Sequence, residues 1–171
     1  MRKQKGFSLI ELLIVVAIIL IIAAIAIPNL MRSRIAANNA AAASTVRTLN
    51  TSEATYSTTY PTVGYADTLG KLGPPSGGVC SAPSSTSACL VDNVLGCGAG
   101  PCARDAYQYK ITGIGTAPIT DYVVEAWPTG ANFGNMEYCA TGDAVVRGKA
   151  DTAATDPGLT TISGCQAINP I

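Results

Sequence analysis

The chain has 171 residues, 11 basic and 11 acidic side chains, no histidine, and only 13 % charged residues. That length allows one modest domain plus an appendage. The low, balanced charge argues against a basic nucleic-acid-binding surface, and the missing histidine excludes Ser-His-Asp and Cys-His catalysis, Cys₂His₂ zinc and histidine-ligated haem.

Residues 1–6 carry three cations, Arg2, Lys3 and Lys5, and the chain from Phe7 to Ile27 is almost wholly apolar. As a helix at about 1.5 Å per residue this run reaches roughly 30 Å, one hydrocarbon core. The basic flank predicts a cytoplasmic N-terminus, a bias that Arg32 and Arg34 beyond the far end reduce. A secretory signal cut at Ala24-Ile25-Ala26, a plain single-pass anchor and a buried core helix compete with this reading. Glu11 decides among them. A carboxylate inside an apolar run costs about 2.5–3.5 kcal/mol at mid-bilayer, so it needs a partner and a purpose. Neither a signal peptide nor a simple anchor supplies one.

Gly6-Phe7-Ser8-Leu9-Ile10-Glu11, followed by the long apolar run, closely resembles the processing motif of type IV pilins and type II secretion pseudopilins. The resemblance implies cleavage of the leader after Gly6, N-methylation of Phe7 by a prepilin peptidase/methyltransferase, and a requirement for Glu11 in assembly. It implies an α+β, pilin-like fold. One long N-terminal helix, transmembrane in its N-terminal half, packs by its C-terminal half on a small antiparallel sheet with loop-rich, disulfide-bonded regions. The expected organisation is a leader at 1–6, a transmembrane or filament-core helix at 7–28, an amphipathic continuation at 29–61, and a periplasmic or extracellular globular domain at 62–171.

On the same resemblance the chain is a structural subunit and not an enzyme. It is stored in inner-membrane lipid, handled by an inner-membrane assembly platform, and built with other copies of itself into a helical filament. An extracellular type IV pilus and a periplasmic pseudopilus both fit; a membrane-anchored monomeric binding module is a third reading. The cysteine-rich surface and the lack of a defined calcium loop lean toward the pilus. Cleavage would place an amine on Phe7, four residues from Glu11, and burying either charge alone is costly. The two can pair within one helix or between staggered neighbours. The residues leave both open, and the resemblance points to the neighbour contact.

Pro28 follows the apolar run and predicts a kink in the helix; a proline at this point also occurs in many pilins, where the spanning helix bends or melts locally. Beyond it, Ile35, Ala42, Val46, Leu49, Tyr56 and Tyr60 lie on one face of a 3.6-residue period, interrupted by Asn39 and Glu53. Part of that stripe is therefore expected to be deeply buried, and Pro61 stops the helix. From Thr62 to Asp105 breakers dominate, and the low-complexity run 81–87 reads as an exposed flexible loop. The sequon at Asn50 falls inside the predicted helix and carries no weight.

Strand alternation begins at Tyr107, with Tyr109 and Ile111 on one face. It resumes at Tyr122–Trp127, where Tyr122, Val124 and Ala126 share a face. Met136–Ala140 and Ala144–Arg147 are predicted to form a hairpin around Thr141-Gly142-Asp143, similar to the last sheet hairpin of many pilin-like subunits. The stretch from Gly148 to Ile171 reads as loop.

The six cysteines, Cys80, Cys89, Cys97, Cys102, Cys139 and Cys165, contain no C-x-x-C pair, so zinc and iron–sulfur sites are weak readings. An even count in an exported domain reads as disulfides. Fifteen connectivities exist; locality favours 80–89, 97–102 and 139–165, the last tying the tail to the sheet much as a C-terminal disulfide loop does in many pilins. Gly142 to Lys149 misses the phosphate-loop pattern by one residue in spacing, and Ala150 replaces the Ser or Thr. No cofactor is expected. Asp143, Asp151 and Asp156 are the acids that calcium would use, as in some major pseudopilins, but they lack a defined ligand spacing.

Overall fold

A computed structural model describes residues 7–75, 78–151 and 153–171. The chain divides into two compact units, one up to Arg34 and one from Ile35 to Ile171. A single helix, α1, runs from Leu9 to Thr59 and contributes to both.

In the first unit α1 carries the apolar run. It is long and apolar enough to cross a membrane, and the most apolar stretch buries nothing within the chain. Every large apolar side chain from Phe7 to Met31 is exposed. Pro28 lies inside the helix, and residues on both sides of it remain helical. Proline removes one backbone bond, and the flanking Leu, Ile and Ala residues favour helix strongly enough to continue the turn.

In the second unit α1 buries Ala42, Val46, Leu49, Glu53 and Tyr56, at successive spacings of three and four residues. These face a five-stranded antiparallel meander in chain order. Its strands are β1 (Cys102–Arg104), β2 (Tyr107–Ile114), β3 (Asp121–Pro128), β4 (Met136–Thr141) and β5 (Arg147–Ala150). A one-turn helix, α2 (Leu69–Leu72), and a short one, α3 (Ile162–Gln166), complete the elements among the described residues.

The sheet is covered on both faces. On the inner face Tyr107, Tyr109, Ile111, Tyr122, Val124, Ala126, Tyr138 and Ala140 join the α1 residues in one apolar core. On the outer face Val123 and Cys139 pack with Leu159, Cys165 and Ile168 of the C-terminal segment. Burial on both faces explains the near-continuous apolar sequence of β3, since neither face meets water.

The structure corrects three expectations from the sequence. β1 arises in a stretch read as unperiodic. It pairs with β2 through a two-residue turn in which Asp105 and Ala106 both have positive φ, 48° and 68°. That backbone suits hairpins, but Asn-Gly is its usual signal and this turn has none. β5 starts at Arg147, not Ala144, because Asp143 takes the N–H of Val145 and the hydroxyl of Thr141, and Ala144 turns to φ 58°. Local side-chain bonds there compete with the ladder. The tail read as pure loop contributes Gly148–Ala150 to β5 and forms α3, whose N-terminus is capped by the Thr161 hydroxyl.

Candidate functional site

The chemistry singled out in the sequence lies at the start of α1. Ser8 precedes the first helical residue, and its main-chain N–H donates to Glu11 Oε2 at 2.9 Å. The first turn of a helix leaves N–H groups without partners, and a glutamate at the third position reaching back to the cap residue satisfies one of them. Glu11 is thus held by the backbone in this chain. Its partner is Ser8, which the reading of charges alone does not single out, although Ser-x-x-Glu before an apolar run is the sequence signature of this cap. Phe7 is exposed beside it. Gly6 and the three leader cations lie outside the described residues.

Beyond Glu11 the helix presents an apolar surface with no partner in the chain. Between Glu11 and Arg32 the sequence has no charged residue. Arg32 and Arg34 end the unit and are exposed. An acid-capped helix of this length, apolar all round, is suited to lipid or to packing against other apolar helices.

A family model described as the prokaryotic N-terminal methylation motif matches residues 1–27. Over 39 residues the chain is 64 % identical to the type IV wide pilus major component PilA4 of Thermus thermophilus. Over these stretches the chain is similar to type IV pilins, and the matched motif is the one that marks their N-terminal methylation. The shared stretch covers 23 % of this chain and 30 % of that pilin's length. No solved structure matches the chain. The exposed apolar helix, the antiparallel sheet it packs on in the second unit, and the disulfides make an α+β, pilin-like fold. Pilins as a family are structural and not catalytic.

The six cysteines are joined as Cys80–Cys89, Cys97–Cys102 and Cys139–Cys165, with Cα separations of 6.0, 5.7 and 5.8 Å. Among the described residues no cysteine is free. Cys139–Cys165 is fully buried and fastens the tail to β4. Just before the Cys97–Cys102 loop, two backbone segments cross closely at Gly73 and Gly96. A Cβ on Gly73 would lie 2.5 Å from Gly96 Cα, so this crossing requires glycine.

The three aspartates that calcium would use are each engaged by protein groups. Asp143 pairs with Arg147 at 2.5 Å. Asp151 accepts from the N–H groups of Ala153 and Ala154 at 2.8 and 3.0 Å. Asp156 pairs with Lys110 at 3.2 Å. Among the described residues no three His, Cys, Asp or Glu side chains are grouped to hold a metal. Gly142 donates its N–H to Asp121 at 2.8 Å and Lys149 pairs with Glu137 at 2.7 Å. The near-miss phosphate loop is therefore the β4–β5 connection.

Two acids, Glu53 and Glu125, are fully buried. Glu53, read as a break in the apolar stripe, is fully buried, and its carboxyl accepts the Ala66 N–H at 2.8 Å. Burial pushes it up to about 8, with the nearby charge of Asp67 adding to the rise. Glu125 on β3 is also buried, 3.7 Å from Lys110, and accepts the Leu159 N–H. Burial pushes its carboxyl above the usual range, against the pull of the Leu159 N–H and Lys110. Both tie loops to regular elements. The position of Glu53, four residues after Leu49 and three before Tyr56, is the signal that it faces inward.

Proposed function

We propose that this chain is a subunit of a type IV pilus filament, processed after Gly6, N-methylated at Phe7 and stored in the inner membrane with its N-terminus cytoplasmic. The observation that carries this reading is the apolar surface of Phe7 and of α1 from Leu9 to Met31, whose large side chains are all exposed and which holds a single carboxylate. In the membrane that surface meets lipid. In a filament it meets the same surface of other copies, an exchange that brings no net hydrophobic gain. Packing and pairing of the new Phe7 amine with Glu11 must therefore supply direction and register. The likeness to a pilus major component supports a pilin-like subunit; we read the filament as an extracellular pilus on the cysteine-rich surface, with a periplasmic pseudopilus as the alternative.

Processing requires a prepilin peptidase/methyltransferase, and growth requires an inner-membrane assembly platform. The residues from 35 to 171 then form the outer surface. Mass spectrometry of membrane-extracted protein tests the first step, with a chain beginning at methylated Phe7 as the expected result. Filaments sheared from the cell surface and containing this chain test the second. A chain beginning after Ala26 overturns the pilin reading, and filaments confined to the periplasm assign the chain to a pseudopilus.

A further inference from the structure

Residues 35–171 contain six basic and ten acidic side chains, a formal charge of −4. Five of the six cations have a carboxylate partner. Lys71 pairs with Asp67 at 2.8 Å, Arg104 with Asp92 at 2.9 Å, Lys110 with Asp156 at 3.2 Å, Arg147 with Asp143 at 2.5 Å, and Lys149 with Glu137 at 2.7 Å. Arg47, exposed on α1, has none among the described residues.

Arg47 borders a cleft of about 340 Å³ lined by Asn50, Thr51 and Ala54 of the same helix and Ala144 of the β4–β5 connection. The Thr51 hydroxyl is used by the Arg47 carbonyl at 3.1 Å, which leaves the Thr51 methyl as wall. Asn50 is 5 % exposed; its Oδ1 accepts from the Tyr122 hydroxyl at 3.2 Å, and its Nδ2 has no acceptor. An unneutralised guanidinium beside methyl walls suits a carboxylate, and low-dielectric walls strengthen the pairing, while the Asn50 amide lies beneath the surface and takes no part.

The chain itself carries the surplus of carboxylates. Asp105 has the most exposed side chain among its ion-paired acids, at 58 %, and shares the single Arg104 with Asp92, at 3.4 and 2.9 Å. It stands on the tight β1–β2 turn, which fixes its backbone. We infer that the Arg47 cleft is a docking site for a second copy of this chain, and that Asp105 of that copy is the carboxylate it receives. The inference rests on the filament reading and adds a contact between the surfaces of neighbouring subunits.

The test uses the full-length chain as sole subunit, with sheared filaments counted against processed subunit in the same membranes. Arg47→Glu and Asp105→Arg should each lower filament number roughly tenfold or more, the scale of losing one partner of a desolvated charge pair. The double variant should restore assembly, and Arg47→Gln should be intermediate. Immunoblots of processed, disulfide-bonded subunit separate an assembly defect from misfolding. If Arg47→Glu lowers that subunit, Arg47→Gln decides in its place. Wild-type filament numbers in the deciding Arg47 variant, or two defective single variants that the double variant fails to rescue, overturn the inference. Absence of filaments from the wild-type chain instead overturns the filament reading.

Discussion

Glu53, midway between Leu49 and Tyr56 on the buried face of α1, accepts the main-chain N–H of Ala66 at 2.8 Å through Oε2, while its Oε1 has no partner. The bond fastens the chain after Pro61 back onto the helix that precedes it. The carboxyl titrates near 8 because burial disfavours its charge and Asp67 repels it. An acid whose folded value is raised holds its proton more tightly in the native state, so its contribution to stability is complete below about 4.5 and is lost as pH rises to about 8. The upper limit of that loss is about 5 kcal/mol. Thermal melting of the detergent-solubilised chain should show a falling midpoint between pH 5 and 8. Glu53→Gln, which keeps the acceptor for Ala66 without the charge, should flatten that slope. An unchanged slope in the variant would place the titration elsewhere.

The Cys139–Cys165 bridge closes 26 residues, and Cys97–Cys102 closes five. On chain-entropy grounds removing the first costs about 3.5 kcal/mol and the second about 2 kcal/mol. The first also releases Leu159, Cys165 and Ile168 from the outer face of β3, which adds lost burial. Cys139→Ser with Cys165→Ser should therefore lower the melting midpoint more than Cys97→Ser with Cys102→Ser, and it should open the tail to limited proteolysis. Equal midpoints and an intact tail would mean that the tail is held by its other contacts.

Arg147 grips both oxygens of Asp143 at 3.2 and 2.5 Å. The Arg147 bonds come first in holding the Asp143 carboxyl down at about 2; burial opposes them, and the Val145 N–H and Thr141 hydroxyl assist. Here the folded value is lowered, so the stabilisation is present above about 3.8 and is lost as pH falls toward 2. Carboxyl-carbon NMR should find Asp143 still ionised at pH 3. In Arg147→Ala its titration should move up toward 3.8, and the amides at the start of β5 should exchange faster.

The elements that read directly from the sequence are those whose periodicity matches one buried face. The α1 stripe and the Tyr107–Ile111 alternation are of this kind. β3 is different. Its face with Tyr122, Val124 and Ala126 was legible, but the burial of Val123 and Glu125 depends on a tail whose loop composition gives no periodic signal. β1 stayed hidden because Asp105-Ala106 adopts positive φ without glycine or asparagine. At the candidate site, Glu11 stood out as a charge in an apolar run. Its bond to Ser8 was equally legible in Ser8-Leu9-Ile10-Glu11, but a lone carboxylate points first to the other charge nearby, the amine of a processed Phe7.

The Ser8 bond divides the role of Glu11 into two separable parts. As a cap it satisfies the Ser8 N–H, and glutamine at the same position does this as well. As a carboxylate it would pair, on the proposed reading, with the amine that processing creates at Phe7, and glutamine would not. Glu11→Ala removes both functions, and Glu11→Gln removes only the charge. Both variants should insert in the membrane at least as readily as the wild type, because a costly carboxylate leaves the apolar layer. Both should be processed, since Gly6 and the basic leader are unchanged. If charge pairing guides assembly, both should leave processed subunit in the membrane and give few or no filaments. Losing one partner of a buried pair costs about 3–5 kcal/mol, and the cost recurs with each subunit added. If capping is the essential role, Glu11→Gln, which keeps the bond to Ser8, should assemble normally, while Glu11→Ala, which loses about 1 kcal/mol of cap in each subunit, should assemble less. Counting filaments against processed subunit for the two variants side by side distinguishes the cases, and normal filaments from Glu11→Gln as the sole subunit would refute charge pairing as the source of register.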